Sequence, residues 1–359
     1  MQEKRKFKNL MVTGGCGFIG SNFIRFLFKE SDYTGKIVNI DKLTYAGNPL
    51  SLNDIEQDYK DRYHFIRADI CDRQQIETIF ESHHIDAICH FAAESHVDRS
   101  IKSPDPFIKS NIMGTYTLLE IARNNADQLA LFHHISTDEV FGSLDDSGYF
   151  TETSPYQPNS PYSASKASSD HLVRAYAETY NLPITLSNCS NNFGPYQFPE
   201  KLIPLMILNA LENKSLPLYG DGKNVRDWLY VTDHCSAIWT VMCQSKIGET
   251  FIIGGDAEKQ NKEVVESICE IMDRLVPLKN KSYSSLITYI TDRPGHDHRY
   301  AIDCTKLKQT FEWHPRETFE SGLEKTVQWY LDNKEWIDQV RTGTYRDWIQ
   351  KHYYSATGF

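Results

Sequence analysis

The feature that most constrains the fold is a glycine-rich turn near the N-terminus. The run Thr13-Gly14-Gly15-Cys16-Gly17-Phe18-Ile19-Gly20 follows a strand-like segment at 9–13 and opens a predicted helix at 21–29. Its glycines fit both G-x-G-x-x-G and G-x-x-G-x-x-G. Glycines allow a tight turn and let the backbone approach a pyrophosphate, for which a helix N-terminus supplies N–H groups. Alone the pattern is weak, because such a turn can also be purely structural.

Strand and helix patterns alternate through the first half of the chain. Apolar runs predict strands at 36–40, 64–66, 87–91, 129–136 and 182–188, and longer periodic segments predict helices at 107–124 and 162–180. This alternation predicts an α/β fold, a Rossmann-like doubly wound parallel sheet. Ligands of such sheets bind at the carboxyl ends of the strands.

The regular alternation stops near residue 191. Beyond it Gly, Pro and Asn become frequent, and 263–275 and 319–333 have the pattern of amphipathic helices. We therefore expect an NAD-binding domain at 1–190, with some later segments returning to it. Residues 191–359 are expected to form mainly a smaller, irregular α/β domain that binds the substrate.

Charge and composition exclude several classes of protein. The net charge of −10 argues against a nucleic-acid-binding surface, and no apolar run approaches the roughly 18 residues of a membrane helix. The N-terminus lacks the apolar stretch of a secretory signal. Eight scattered cysteines with no C-x-x-C indicate reduced core thiols in a cytoplasmic protein and no metal site.

An acidic residue follows the second predicted strand, about 20 residues after the glycine turn. Asp41 stands where a carboxylate accepts hydrogen bonds from the adenine ribose of a dinucleotide. Its charge repels a 2′-phosphate, so NAD is favoured over NADP, although Asp41 could instead cap a loop and Lys42 could weaken the discrimination. Asp69, after the third predicted strand, is a candidate adenine contact or a turn-forming residue.

An acid–base set lies between the fifth strand and the long helix. Thr137, Asp138 and Glu139 end the strand, and Tyr162 and Lys166 lie four apart on one face of a helix. We expect the Lys166 ammonium to lower the pKa of Tyr162 from about 10 and make it a usable base. Two adjacent carboxylates suggest proton chemistry beyond alcohol oxidation, although each residue alone could be structural.

The Tyr-x-x-x-Lys spacing occurs twice more. Tyr219 and Lys223 are separated by two glycines and are expected in a loop, whereas Tyr330 and Lys334 are expected on a structural surface helix. Only Tyr162 follows the nucleotide-binding half and begins a long helix, for which Ser160 is the predicted N-cap and Pro161 the first residue.

These motifs resemble the extended short-chain dehydrogenase/reductase superfamily over nearly the whole chain. Within it, the Thr-Asp-Glu triplet is most similar to that of the dTDP-glucose 4,6-dehydratase family. The other runs that carry the resemblance are residues 13–20, 41–48, 91–100, 162–166, 191–196, 220–227 and 292–297.

The resemblance implies an NAD-dependent lyase that makes a 4-keto-6-deoxy sugar nucleotide by oxidation, water loss and reduction. Tyr162 would act as base with Lys166 and Thr137 in support, Glu139 would take the C5 proton and Asp138 would protonate the leaving hydroxyl. The implied cofactor contacts are Gly14, Gly17, Phe18, Ile19, Gly20, Asp41, Lys42, Thr44, Asp69, Ile70, Ala92, Tyr162 and Lys166. The implied substrate contacts are Ser95, Thr137, Asn191, Lys201, Leu202, Pro217, Tyr219, Arg226, Asn261, Arg293, His296 and Tyr353.

The resemblance also implies a nucleotide-sugar substrate, with dTDP-glucose expected, a bacterial dTDP-rhamnose route and a homodimer formed through segments 107–124 and 162–180. The apolar stripes of those segments could equally face the core. Two other functions stay open. One is another nucleotide-sugar 4,6-dehydratase or a 4-epimerase, and the other is an NAD-binding regulatory protein without catalysis.

Overall fold

The structure is a computed structural model that describes residues 4–292 and 295–341. Its strands are β1 (Asn9–Thr13), β2 (Lys36–Asp41), β3 (Tyr63–Arg67), β4 (Ala87–His90), β5 (Leu131–Thr137), β6 (Ile184–Cys189), β7 (Asn191–Phe193), β8 (Leu216–Tyr219), β9 (Val225–Tyr230), β10 (Thr250–Ile253), β11 (Glu258–Gln260) and β12 (Ile287–Ile290). Its α-helices are α1 (Phe18–Lys29), α2 (Asn53–Asp58), α3 (Arg73–Ser82), α4 (Val97–Lys102), α5 (Asp105–Phe107), α6 (Thr115–Asn124), α7 (Pro161–Tyr180), α8 (Leu202–Leu211), α9 (Val231–Gln244), α10 (Asn261–Leu275), α11 (Thr305–Phe311), α12 (Phe319–Asp332) and α13 (Lys334–Val340).

Seven strands form one parallel sheet in the order β10-β6-β5-β4-β1-β2-β3. Side chains of a strand alternate between the two faces, and β1 shows this clearly. Leu10 and Val12 enter the apolar core that α1, α9 and α11 cover, whereas Met11 enters the opposite core beneath α3, α6 and α7. The predicted Rossmann-like, doubly wound sheet is thus confirmed.

The later part of the chain builds a smaller region. It has a three-stranded sheet, β11-β9-β7, and a strand pair, β12-β8. Helices α8, α10, α12 and α13 share one apolar core around Trp228, Ile268 and Leu323. Between these elements the chain returns to the large sheet, where β10 adds an edge strand and α9 and α11 pack on one face. A division at 190 remains a proposal.

The segment predicted as one helix at 107–124 contains a π-helical stretch, Ile108–Gly114, between α5 and α6. The carbonyl oxygen of Asn111 in this stretch accepts hydrogen bonds from the Ser169 and Thr115 hydroxyls, both at 2.6 Å. A π-helical turn bonds to the fifth residue along the helix, and such turns are frequent at functional sites. Here it allows a close contact with α7.

Helix α7 begins as the sequence predicts. Ser160 is its N-cap, Pro161 occupies the first helical position, and the Ser160 and Ser163 side chains form a reciprocal capping box. With 20 residues it is the longest helix described. No helix within 4–292 or 295–341 is both long and apolar enough to cross a membrane.

Candidate active site

The carboxyl ends of β1, β2, β4, β5 and β6 open into one cavity of about 300 Å³, at the edge of the sheet where the fold class places ligands. Most residues predicted to bind the cofactor or to act on the substrate line this cavity. They are Gly14, Gly17, Phe18, Ile19, Gly20, Asp41, Lys42, Thr44, Ile70, Ala92, Ser95, Thr137, Asp138, Glu139, Tyr162, Lys166, Asn191 and Lys201.

The glycine turn leaves no room for side chains. Gly14 has a φ of +72°, and a Cβ placed on it would lie 2.7 Å from backbone atoms of Ala92. A Cβ on Gly20 would lie 2.4 Å from the Gly14 carbonyl oxygen. Helix α1 starts at Phe18, earlier than predicted, with Gly17 as an N-cap that has no side chain to bond the first N–H groups. This backbone fits a pyrophosphate.

Asp41 both shapes the loop and faces the cavity. One carboxylate oxygen accepts a hydrogen bond from the Leu43 N–H at 2.8 Å, and the other accepts one from the Cys16 N–H at 3.0 Å. Each oxygen keeps a lone pair for a ribose hydroxyl. Asp69 does not line the cavity. It accepts a turn hydrogen bond from the Cys71 N–H at 3.0 Å and lies 3.8 Å from the Lys42 ammonium.

Thr137 ends β5 and begins a short 3₁₀ turn, Asp138–Phe141. Its hydroxyl accepts a hydrogen bond from the Glu139 N–H at 3.3 Å and donates one to an Asp138 carboxyl oxygen at 3.3 Å. The same hydroxyl is within hydrogen-bonding reach of the Tyr162 phenol. The strand end and the first two turns of α7 therefore meet at one point of the cavity.

Asp138 is buried, with 1% of its surface exposed. Burial, followed by the neighbouring Glu139 and Asp227 carboxylates, raises the pKa of Asp138 well above its ordinary value. Its Oδ2 atom has no hydrogen-bond partner among the described residues. The direction of this shift favours a protonated carboxyl group at Asp138 beside the Glu139 carboxylate, the state that the predicted acid role needs.

The expectation that the pKa of Tyr162 falls below about 10 is wrong for this structure. Burial, followed by Glu139, raises the pKa of Tyr162 well above 10, and the Thr137 hydrogen bond only partly offsets this. Lys166 is 5% exposed, and its ammonium donates a hydrogen bond to the Ile135 carbonyl oxygen at 2.7 Å. Four-residue spacing on a helix places two side chains on one face. It does not determine how far each group is removed from water, and that removal also shifts the pKa.

The other two Tyr-x-x-x-Lys pairs lie outside the cavity. Tyr219 ends β8, and Lys223 forms an exposed ion pair with Asp221 at 2.8 Å. Tyr330 is fully buried in the smaller core, and its hydroxyl donates to the Gln197 carbonyl oxygen. Helix α12 turns the Tyr330 side chain into the core, and Lys334 begins a separate helix, α13.

Three predicted substrate contacts, Ser95, Asn191 and Lys201, share the cavity with the glycine turn. The Lys201 ammonium donates to the Ser95 carbonyl oxygen at 3.0 Å, which joins the loop after β4 to the residue before α8. Asn191 is the first residue of β7, two residues after the end of β6. All three residues line the cavity.

The remaining predicted substrate residues within the described part of the chain do not line the cavity. The Arg226 guanidinium is buried and donates to the carbonyl oxygens of Val225 at 2.7 Å and Asp297 at 3.0 Å. The rings of Tyr219 and His296 lie 6.0 Å apart. Leu202 and Asn261 begin α8 and α10, and Pro217 is buried in β8. Arg293 and Tyr353 lie outside the described residues.

Comparisons with known proteins show the family of the chain. The protein-family model described as GDP-mannose 4,6 dehydratase matches residues 11–326. A curated dTDP-glucose 4,6-dehydratase 1 from Escherichia coli strain K12 is 55% identical over 96% of this chain and 98% of its own. A dTDP-glucose 4,6-dehydratase from Neisseria meningitidis serogroup B is 54% identical over 94% of this chain and 98% of its own. The chain belongs to the dTDP-glucose 4,6-dehydratase family.

Solved structures share the fold of this dehydratase-family chain. A dTDP-glucose 4,6-dehydratase from Bacillus anthracis, in complex with NAD, is 48% identical with a TM-score of 0.84, covering 93% of this chain and 100% of its own. DesIV, a dTDP-glucose 4,6-dehydratase from Streptomyces venezuelae with NAD and the ligand TYD bound, is 42% identical with a TM-score of 0.87 and the same coverages. A Thermotoga maritima UDP-glucose 4-epimerase is 28% identical with a TM-score of 0.81, covering 91% of this chain and 99% of its own.

The sequence reasoning missed two side chains that assemble this dehydratase-family site. Asn111, in the π-helical stretch, bonds both backbone groups of Glu94, at 2.8 and 3.0 Å, and donates to the Ser165 hydroxyl at 2.8 Å. Glu200 is 3% exposed and lies 3.1 Å from the Arg99 guanidinium. Neither residue belongs to a local motif, because the partners lie far away in sequence.

Proposed function

We propose that the chain is a dTDP-glucose 4,6-dehydratase, a hydro-lyase that converts dTDP-glucose to dTDP-4-keto-6-deoxyglucose and water. The observation that carries this function is the buried Asp138, whose raised pKa favours the protonated form, beside Glu139 in the cavity that holds Tyr162 and Lys166. For the oxidation of an alcohol by NAD, the protein needs to provide only a base and the groups that stabilise its charged form. Loss of water also requires an acid and a second base, and two neighbouring carboxyl groups with different environments provide both.

NAD is the cofactor of this proposal, and the residues present fit it. The glycine turn would hold the pyrophosphate, Asp41 the adenine ribose, and Lys166 the nicotinamide ribose. When bound, NAD supplies the hydride acceptance at C4 and the hydride return at C6 that amino-acid side chains do not provide. The Bacillus anthracis and Streptomyces venezuelae relatives were solved with NAD.

Tyr162 makes the first proton transfer by removing the proton of the sugar 4-hydroxyl, while the Thr137 hydroxyl orients that group. Because burial and Glu139 raise the pKa of Tyr162, its phenolate needs a neighbouring positive charge. Lys166, on the same face of α7 and anchored to the Ile135 carbonyl oxygen, provides that charge.

The two carboxyl groups carry out the elimination. Glu139 removes the C5 proton, which the adjacent ketone makes acidic, and Asp138 gives its proton to the departing 6-hydroxyl as water. Glu139 later returns a proton to C5. The cycle leaves Tyr162 protonated and Asp138 ionised, and the Thr137 hydroxyl lies within hydrogen-bonding reach of both. It provides a path by which the proton returns to Asp138.

The nucleoside diphosphate of the substrate needs hydrogen-bond donors and positive charge. Ser95, Asn191 and Lys201 line the cavity and are assigned to substrate binding. We assign Arg226 and His296 to the pyrophosphate, since a buried guanidinium held by carbonyl oxygens keeps its charge and its fixed geometry. The other assigned substrate contacts are Leu202, Pro217, Tyr219, Asn261, Arg293 and Tyr353.

A homodimer forms part of the proposal. Several large apolar side chains are exposed on α4, α6, α7 and the π-helical stretch, and clustered exposed apolar residues mark interaction surfaces. They are Ile101, Ile108, Met113, Tyr116 and Tyr180. The mass in solution should be twice the 41.4 kDa of one chain. A monomer at micromolar concentration would contradict this.

We further propose that the protein works in the reducing cytoplasm, in a bacterial dTDP-rhamnose route. All eight cysteines are described, none forms a disulfide, and seven are buried. Buried unpaired thiols are typical of proteins in reducing compartments. Alkylation of the denatured protein directly after cell lysis should modify every cysteine, and a protected disulfide pair would contradict this placement.

The experiment that tests the function is incubation with the dTDP-, UDP-, GDP- and CDP-forms of glucose, followed by mass detection of water loss. We expect the dTDP-sugar to lose one water with the highest kcat/KM. Preferred water loss from another nucleotide would indicate a different 4,6-dehydratase. An epimer of unchanged mass would indicate a 4-epimerase, and no turnover of any sugar would indicate a regulatory protein.

A further inference from the structure

A buried carboxylate lies beneath the active site, outside the cavity lining. Asp170 is on α7, one helical turn after Lys166, and none of its surface is exposed. One of its oxygens accepts three hydrogen bonds, from the Ser136 hydroxyl at 2.8 Å, the Tyr156 hydroxyl at 2.8 Å and the Asn188 amide at 3.2 Å. Burying a charged carboxylate costs free energy, so a buried Asp170 indicates a role for this residue.

The hydrogen bonds of Asp170 reach the catalytic strand end. Ser136 directly precedes Thr137, and the Asn188 amide that bonds Asp170 also donates to the Thr137 carbonyl oxygen at 3.1 Å. Lys166, on the same helix, donates to the Ile135 carbonyl oxygen. Helix α7, β5 and β6 are therefore tied together around the residue that positions the substrate hydroxyl.

Asp170 also affects the charge of Lys166. Burial lowers the pKa of Lys166, and the Asp170 carboxylate is the largest influence that opposes this. Burial also disfavours the charged form of Asp170, but His134, Lys166 and Ser136 outweigh it and place its pKa below the ordinary value. Asp170 thus stays ionised where Lys166 needs a negative partner.

The other titratable groups around this pair are neutral or more distant. His134 lies 3.2 Å from Asp170 on β5, and burial lowers its pKa to about 4. Burial likewise lowers the pKa of His90 on β4 and raises the pKa of Cys189 on β6, so both are uncharged near neutral pH. Arg174 contacts the Tyr156 hydroxyl at 3.4 Å, on the far side of the carboxylate.

We propose that Asp170 is a positioning residue of the dehydratase, which keeps Lys166 protonated and fixes the end of β5 without touching the substrate or the cofactor. This inference rests on the proposed function for its catalytic consequence. A neutral Lys166 could not stabilise the Tyr162 phenolate, so the first proton transfer would fail at alkaline pH.

The first test is the pH dependence of sugar oxidation in a single turnover with Asp170→Asn. Loss of the negative charge should move the alkaline decline of the rate to lower pH by about one unit. Tyr156→Phe removes one hydrogen bond to the same oxygen but leaves the charge, so its profile should keep the wild-type position. An unmoved decline in Asp170→Asn, or an equal shift in Tyr156→Phe, would overturn the proposal.

The second test does not depend on turnover and so separates this inference from the proposed function. It compares the melting temperatures of the wild type, Asp170→Asn, Lys166→Met and the double variant. Removing both charges should cost less than the sum of the single losses, because each single variant leaves one buried charge unpaired. Losses that simply add in the double variant would overturn the pairing and mean that the carboxylate only holds its hydrogen-bond donors.

Discussion

The ammonium of Lys166 donates a 2.7 Å hydrogen bond to the carbonyl oxygen of Ile135, two residues before Thr137 on β5. This bond fixes the first turns of α7 against the strand end. It brings Tyr162 within hydrogen-bonding reach of the Thr137 hydroxyl, next to Asp138 and Glu139. The acid–base groups of the proposed reaction therefore come from two elements, and the buried Lys166 ammonium is one of the groups that join them.

Replacing Tyr162 with Phe should abolish the first oxidation. The variant lacks the base for the 4-hydroxyl proton, so single-turnover absorbance should show no NADH above background, a loss of at least about 100-fold. Tyr330→Phe is the matched control, since this tyrosine has the same lysine spacing but is buried in the smaller core. It should lose about 1 kcal/mol of stability and keep its turnover. Rapid NADH formation by Tyr162→Phe would remove the tyrosine from the mechanism.

Replacing the carboxyl groups should stop the reaction at a later step. In Asp138→Asn and Glu139→Gln the first proton transfer remains, but protonation of the leaving hydroxyl or removal of the C5 proton is lost. We expect NADH to accumulate while the 4-keto-6-deoxy product forms about 100- to 10,000-fold more slowly. Rapid-mixing absorbance with product analysis measures both quantities. Unimpaired product formation by both variants would refute the assigned roles.

A methyl group at Gly14 should prevent cofactor binding. Gly14→Ala combines a φ of +72° with a Cβ 2.7 Å from the Ala92 backbone. Gly148→Ala is the control, because Gly148 has a φ of +88° with open space around it. The control should lose about 1–2 kcal/mol of stability from backbone strain alone and retain NAD. NAD content after purification, measured beside the melting temperature, distinguishes the two. Equal NAD content in both variants would contradict the assigned turn.

Acid should destabilise the protein through His234. This side chain is fully buried, its Nδ1 donates a 2.9 Å hydrogen bond to the Asn192 amide oxygen, and burial lowers its pKa to about 3. Since the unfolded chain binds the proton near pH 6.5, the His234 contribution is complete above that pH and declines as the pH falls below it.

The free energy of unfolding, measured by denaturant titration between pH 6 and 4, tests this sign. In His234→Gln the slope of stability against pH should be smaller than in the wild type by about 1.4 kcal/mol per pH unit. The contribution of the carboxyl groups, which both proteins contain, cancels in the difference between the two slopes. Identical slopes would show that His234 is already protonated in the folded state, which would contradict the lowering of its pKa by burial.

Local sequence patterns predict the nucleotide-binding half well. The alternation of strands and helices and the glycine turn depend on residues close in sequence, so β1, α1 and the capped start of α7 follow from it. The return of β10 to the edge of the large sheet depends on a distant pairing with β6, and no local pattern indicates that. The π-helical stretch is not predicted from local sequence for the same reason, because it contacts Ser169, which is distant in sequence.

That the candidate acid–base residues share one cavity was predictable from the sequence, but their electrostatics were not. The sequence places Tyr162 and Lys166 on one face of a helix, yet the rise in the Tyr162 pKa depends on burial and on Glu139. Asp170 has no signal in the sequence beyond its four-residue spacing from Lys166. The proposed role of Asp170 depends on hydrogen-bond donors from β5, β6 and the loop before α7. These donors come together only in the folded chain.

The measurement that tests the account most directly is turnover of dTDP-glucose in deuterium oxide, followed by mass and NMR analysis of the sugar. Glu139 is only partly buried and lines the open cavity, so we expect its proton to exchange with solvent between the two halves of the reaction. We therefore predict a product that has lost one water and carries one deuterium at C5. A sugar that keeps its oxygen content and contains no deuterium at C5 would contradict the elimination assigned to Asp138 and Glu139.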